Sequence, residues 1–515
     1  MPLGPSGLAE VRTSEQIRPG VTYYQITRGQ AAATDFWTVT VEFAKDQASA
    51  APAVAAMTAL GLQVRFDSAG LAPDGSQLGF NVSVGQFTTQ AAAQAEATSI
   101  AAATQNAFVP TVRSTALDGN PASTGPWIVN ITAISPSFKG NLQNIIAGAN
   151  SSAAGGILGL GGETPQATVG RLGGIVGINA GYWSTNDNAA GDELKGPAGA
   201  IVSDGNLEGM SATGEAGVTF MQVNGHPTVS FLSNLSSVVT VTNSQGASAS
   251  VTGINSAILG QHFSCGSPGA APSAVRAHDF TCVNDNDLVL YDGNFASGRT
   301  SGVTVDPGYK GDTFEVLVDA TGKVLSAGAT LGAPVPAGGY VLQALGTSVT
   351  WLQQNAPVGT MLSVKKQELS GTNPVALAPG MSLAAAGPEL LPAASVIQRS
   401  AADGFNPTFA GIDRSSFYWG FVNARNPRTM IGVAPDGTIL LAETDGRQPG
   451  LAIGTSMQET AALMQWMGAV NALNLDGGGS SAMVVNGIDV GHPSDNTPAN
   501  PTQRAVATSI VLTGS

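Results

Sequence analysis

Charge is scarce in this chain. Only 11% of its 515 residues are charged, 21 of them basic and 35 acidic, for a formal net charge of −14. That balance excludes a surface built to hold nucleic acid or an anionic membrane. An anion can still be bound, but only by a few placed arginines or by backbone amides. Long apolar runs are missing too: nothing approaches the roughly 18 consecutive apolar residues of a membrane span, and AAGGILGLGG is short and glycine-rich. The opening MPLGPSGLAEVRTSEQ has neither a basic n-region nor an apolar h-region. The expectation is a secreted or cell-wall-associated protein whose signal peptide is absent from this sequence, with a cytosolic protein as the alternative. Cysteine is limited to Cys265 and Cys282 in a loop-like segment, which points to one disulfide in an oxidising compartment or else to two free thiols.

What is abundant is glycine (66 residues), together with alanine, serine, threonine and asparagine, and 43% of the chain is hydrophobic. This suits a β-rich, turn-rich protein large enough for two or more domains. Residues 1–33 read as a polar lead-in. Residues 34–115 read as strand–helix–strand twice over: DFWTVTVEF, the alanine run ASAAPAVAAMTAL, LQVRF, LGFNVSVGQF, the helix TTQAAAQAEATSIAAATQ, and AFVPTVRS. That order predicts a four-stranded sheet with two helices on one face, a ferredoxin-like sandwich. LDGNPASTGP (Leu117–Pro126) reads as a linker, and residues 125–515 as a β-rich mixed-sheet domain with few helices, so the fold class is α+β. Within it, residues 245–385 show strands but no legible chemistry. SMQETAALMQWMG is a helix with Ser456 as N-cap, Glu459 as its capping-box partner and Gly468 as its stop.

The segment FNVSVGQFTTQAAAQAEATSIAA resembles the sporulation-related repeat (SPOR) family through Val84, Gly85, Phe87 and the helix start at Thr88–Thr89. The resemblance implies a module that binds peptidoglycan strands.

The densest chemistry lies in NALNLDGGGSSAMVVNG. Alternation puts Leu473 and Leu475 on one face of a strand and Asn474 and Asp476 on the other. Gly477, Gly478 and Gly479 follow, where positive φ and close approach to the backbone are allowed, and Ser480 and Ser481 add hydroxyls. Arg425 and Arg428 stand just before a strand, Asp445, Gly446 and Arg447 at the end of the next, and Arg504 at the start of the last. Arginine can fork onto phosphate, although an exposed arginine serves solubility just as often. Upstream, a buried-looking strand ends in Asn179, then Gly181, Tyr182 and Trp183, rings that could stack on a sugar or simply pack.

INAGYW, GPAGAIVSDGNL, NPRTMIGV, DGRQPG, the long glycine block and PTQRAVATSIVL occur in this order. Together they resemble the phosphodiester glycosidase family from about Trp127 to Leu512. The resemblance implies hydrolysis at the anomeric carbon of a sugar–O–phosphate bond, in a sugar-1-phosphodiester of a cell-envelope glycan or related polymer. For that chemistry the residues themselves offer Asp476 as the main carboxylate, with Glu459, also explained by its capping box, and Asp445 as further acid–base candidates. Arg428, Arg447 and Arg504 would hold phosphate, and Asn179 and Asn474 would orient sugar hydroxyls. Gly477, Gly478, Gly479 and Ser480 would donate to the anion, and Gly181 would lie against the substrate. His492 is either a proton carrier or a turn histidine. No cofactor is required. Calcium is possible at the oxygen-rich turns NDNAAGD (186–192) and NDND (284–287), neither of which has EF-hand spacing. Two other readings stand beside this one: a glycosidase acting on a non-phosphorylated polysaccharide, and a non-catalytic peptidoglycan-binding protein.

Overall fold

The computed structural model describes residues 1–148, 162–184, 195–212, 214–263, 277–278, 281–294, 304–392, 394–495 and 501–514. Its first two strands, β1 (Glu10–Arg18) and β2 (Val21–Arg28), form a hairpin. Residues 1–33 are therefore not a lead-in. β1 is an edge strand exposed along most of its length, so its polar sequence hides its pairing. β2 pairs antiparallel with β7 (Trp127–Ile134), beyond the small module in sequence but adjacent in space.

Between β2 and β7 the chain builds the module. β3 (Trp37–Ala44), β4 (Val64–Ser68), β5 (Phe80–Phe87) and β6 (Thr111–Ser114) make one antiparallel sheet in the order β4-β5-β3-β6. Helices α1 (Ala51–Ala59) and α2 (Gln90–Ala103) share a core with Val39, Val41, Val82 and Val84. Thr89 caps α2, its hydroxyl accepting from Ala92 N at 3.2 Å. This is the sandwich the sequence predicts; a binding preference for glycan does not follow from it.

β7 continues into a seven-stranded antiparallel sheet, in the order β1, β2, β7, Ile439–Thr444, Arg428–Val433, Asn471–Asn474, Glu389–Leu391. A five-stranded sheet holds β8 (Gly140–Ile146), the last strand Thr508–Gly514, β9 (Val176–Asn179), Met483–Val485 and Ile488–Asp489. The two sheets contribute to one core, including Val129, Ile131, Ile178, Met430, Leu473, Met483 and Ile510. Within 245–385, Ile258–Leu259 pairs with Thr304–Val305 and Gln261–Phe263 with Thr281–Val283, while most of the described strands belong to two further sheets of eight and five strands. Their cores gather Leu288, Leu290, Val316 and Leu342 on one side and Val289, Val341 and Leu345 on another. Among the described residues no helix is long and apolar enough to cross a membrane. Cys282 is buried on a short strand; its expected disulfide partner Cys265 lies outside the described residues.

Candidate functional site

Antiparallel order brings the chemistry together. In the seven-stranded sheet, the start of Arg428–Val433 lies beside the end of Ile439–Thr444, with Arg428 opposite Thr444. The end of Asn471–Asn474 lies on its other side, with Met430 opposite Asn474. One edge of the sheet therefore collects Arg428, the turn carrying Arg447 and the loop carrying Asp476 and the three glycines. In the five-stranded sheet the end of β9 meets the start of the last strand, with Asn179 opposite Ser509. Tyr182, Trp183 and Arg504 come to the same place.

They enclose a pocket of about 420 Å³. Arg428, Arg447, Arg504, Asp476 and Gly477–Gly479 form one side; Trp183, Phe263, His278, Phe417 and Phe421 form an aromatic wall. His278 lies 4.3 Å from the ring of Tyr182 and 4.4 Å from that of Phe405, which stacks on Phe421 at 4.4 Å. Phe263, His278, Phe417, Phe421 and Asn426 were not foreseen from the sequence. His278 comes from the region without legible chemistry. Only the FYWGF run (Phe417–Phe421), aromatic-dense just ahead of Arg425, offered a signal.

Asp476 is half-buried on the pocket wall. Its main chain is pinned: its N–H donates to Ala180 O at 2.9 Å, and its carbonyl accepts from Asn179 Nδ2 at 2.6 Å. Burial pushes its carboxyl up to about 6, against the pull of the Ser480 hydroxyl, the Gly477 amide, Arg504 and Arg447. The Gly477 bond is well formed, 2.8 Å to Oδ1, whereas Ser480 Oγ meets no partner at hydrogen-bond geometry.

Arg428 is buried, and desolvation lowers it to about 10, with Arg447 nearby adding repulsion. Its Nε donates to Thr455 O at 3.2 Å, an Nη donates to Phe421 O, and its guanidinium lies 5.0 Å over the Phe421 ring. Arg447 is also lowered, first by desolvation and then by Arg504; its Nε donates to Asn426 Oδ1 at 3.0 Å. Its backbone sits at φ 58°, a left-handed conformation that a non-glycine residue rarely keeps without surrounding support. Among the described residues neither Arg428 nor Arg447 has an ion-pair partner. Arg504 does: Asp495, at 2.6 and 2.8 Å.

The glycines have a different purpose from the one expected of them. Gly477 N is bound to Asp476 and Gly478 N donates to Pro427 O at 3.0 Å, so two of the three amides are engaged inside the protein. What comes close to the backbone is the arginines. A Cβ at Gly478, where φ is 62°, would sit 2.9 Å from Nη1 of Arg447, and one at Gly479 would collide with the Arg504–Asp495 pair.

Several residues proposed from the sequence do not line the pocket. Asn179 is fully buried and turned inward: its Nδ2 donates to Asp476 O, and its Oδ1 accepts from Thr429 Oγ1 at 2.6 Å and Ala482 N at 3.1 Å. Asn474 donates to Gly387 O, Leu475 O and the Tyr182 hydroxyl. Both asparagines fix the Asp476 loop from behind. Gly181 packs against Ala385 O, where no Cβ fits. Glu459 completes the capping box and grips buried Arg425 through both oxygens, and Arg425 also donates to Ala116 O and, in the linker, to Asn120 O and Ser123 Oγ. Asp445 is buried and accepts from His492 N and its ring Nδ1, each at 2.6 Å, which raises the imidazole. Glu443 beside it is pushed far up by burial and by Asp445. The turn 186–192 lies outside the described residues. In 284–287, Asp287 is spent on His262, Thr252 and Gly260, and Asn286 on Thr347. Among the described residues no three His, Cys, Asp or Glu side chains converge as a metal site.

Comparison with known proteins adds four findings. Residues 312–513 match the family described as Phosphodiester glycosidase. Over 80 residues the chain is 38% identical to N-acetylglucosamine-1-phosphodiester alpha-N-acetylglucosaminidase of Mus musculus and 39% to that of Homo sapiens. Those matches span 16% of this chain and only 15% of the length of each relative. A crystal structure of a candidate exported protein from Burkholderia pseudomallei K96243 is 43% identical with a TM-score of 0.93, covering 99% of this chain and 98% of that one. A hypothetical protein from Synechocystis shares the fold, with a TM-score of 0.51 at 17% identity over 98% of this chain and 81% of that one.

Proposed function

Because the chain belongs to one family with the Burkholderia exported protein, and because its residues 312–513 match phosphodiester glycosidases, we propose that it is a hydrolase of sugar-1-phosphodiesters. The substrate class is a cell-envelope glycan or related polymer. One observation carries the reading: two guanidiniums, the buried Arg428 and the solvent-reaching Arg447, lack a carboxylate partner among the described residues and face the same pocket as the half-buried Asp476 carboxylate and an aromatic wall. Guanidinium charge without a counterion favours a bound anion, most of all where it is desolvated, as at Arg428.

In this reading the sugar lies against the rings and its phosphate against Arg428, Arg447 and Arg504. Water adds to the anomeric carbon. The bond to the phosphate oxygen breaks, and its electron pair stays on that oxygen. Ionised Asp476 stabilises the oxocarbenium-like charge and takes a proton from the water. The phosphate leaves with one more negative charge than it arrived with, which the guanidiniums offset, so no protonated carboxylic acid is needed on the leaving side. This accounts for a pocket in which Asp476 is the only carboxylate among the described lining residues.

The test is product analysis on a panel of sugar-1-phosphodiesters and neutral glycosides with the full chain. Release of free sugar and phosphomonoester is expected. Arg447→Met should lower kcat/KM on the phosphodiester by about 10²- to 10³-fold, the usual cost of one transition-state anion donor. Release of sugar from neutral glycosides alone, unaffected by Arg447→Met, would replace this reading with the non-phosphorylated polysaccharide one.

A further inference from the structure

The pocket does not end at the arginines. A second cavity of about 580 Å³ opens beside it, between the small module and the large domain. Gly420, Asn426 and Arg447 line both, so the two spaces meet at the guanidinium that would hold the phosphate. The module's wall includes Trp37, Glu42, Asn81 and Arg113; the domain's wall includes Trp419 and Arg425.

The charges in that cleft are not all matched. Arg113 is held by Asp67 and Asp118, and Arg425 by Glu459. Glu42 and Asn81 are different. Asn81 is 2% exposed and Glu42 half-buried; among the described residues the bond to Asn81 goes to its carbonyl, from the Ser83 hydroxyl, and its side chain and that of Glu42 make none within the protein. Burial raises the Glu42 carboxyl. The polar ends of the two are not sealed inside the protein but open into the cleft, where their bonds are left to be made by what enters it.

We infer that this cleft is the subsite for the leaving side of the substrate, a neutral, hydroxyl-rich saccharide esterified to the phosphate that Arg447 holds. The inference rests on the phosphodiester reading of the pocket. Chemistry selects the class. Sugar hydroxyls can donate to Glu42 and accept from Asn81, and the rings of Trp37 and Trp419 suit sugar faces. An acyl chain would leave both polar groups desolvated and unpaired, and a polyanion would meet the carboxylate. The small module thereby becomes part of the binding site rather than an appendage to it.

The experiment compares two esters of N-acetylglucosamine 1-phosphate, one with methyl and one with a neutral tetrasaccharide as the second alcohol. The full chain is assayed beside the double variant Glu42→Gln, Asn81→Ala. The ratio of kcat/KM for the tetrasaccharide ester to that for the methyl ester should fall about tenfold in the variant, the worth of one or two hydrogen bonds. An unaltered ratio overturns the inference. Should the wild-type chain turn over neither ester, the phosphodiester reading fails by itself. The subsite is then decided by titrating the neutral tetrasaccharide against tryptophan fluorescence, since two tryptophans line the cleft. Quenching about tenfold weaker in the variant sustains it, and equal or absent quenching in both proteins rejects it.

Discussion

Exchanging Asp476 for asparagine should cripple turnover and at the same time stabilise the fold, by an amount that depends on pH. The carboxyl titrates at about 6 in the folded protein against an ordinary value of 3.8. Its folded value is raised, so the neutral acid is the form the fold prefers. The stability contributed by this group is complete below about pH 4 and is lost as pH rises through 6. Two units at about 1.36 kcal/mol each give a penalty of about 3 kcal/mol once the group is fully ionised at pH 8, and about half of that at pH 5. Asparagine keeps the shape and can still accept from Gly477 N, but it never ionises. Asp476→Asn should therefore melt higher than wild type at pH 8, with a margin that shrinks toward pH 4. In the same protein kcat/KM should drop by 10² or more, while the wild-type profile rises through about pH 6 to a plateau. Paired thermal melts across pH 4–8 decide it. A variant less stable than wild type at pH 8, or a margin that does not change with pH, would refute the account of a carboxylate held in the pocket at the fold's expense.

Other expectations follow from the same geometry. Gly479→Ala should disrupt the Arg504–Asp495 pair, since the added methyl has no room there; KM for a phosphodiester should rise and the melting temperature fall by a few degrees. Glu459→Gln should leave Arg425 buried with its charge unmatched, costing about 3–5 kcal/mol in denaturant titration. The folded fraction of that variant should retain wild-type KM, because Glu459 does not line the pocket; a kcat loss beyond the folded fraction would restore it as an acid–base candidate.

The Asp476–Gly479 block and the three arginines were legible because each marks a strand end, and antiparallel pairing gathers strand ends at one edge. Their partners were not. Asn179 and Asn474 look like sugar ligands in one dimension, yet carbonyls supplied from far along the chain, at Asp476 and Gly387, use up their amides. Glu459 carried its structural meaning in its spacing from Ser456, but the pull of Arg425 was hidden. His278 and Phe263 reach the pocket only through tertiary contacts, which no local pattern encodes. β1 escaped notice because an exposed edge strand has no apolar alternation to display.

The module leaves the seven-stranded sheet after β2 and returns to it at β7, and those two strands are neighbours. It is thus a loop of 98 residues, from 29 to 126, closed at its neck by eight paired positions between β2 and β7, with Arg425 bolting the returning chain at Ala116, Asn120 and Ser123. A bead on a single string could wander; one threaded at both ends cannot swing far from the pocket it borders. Trimming the chain from its front would strip two strands from the main sheet before reaching the module, so only an internal excision that joins β2 directly to β7 could separate the two units.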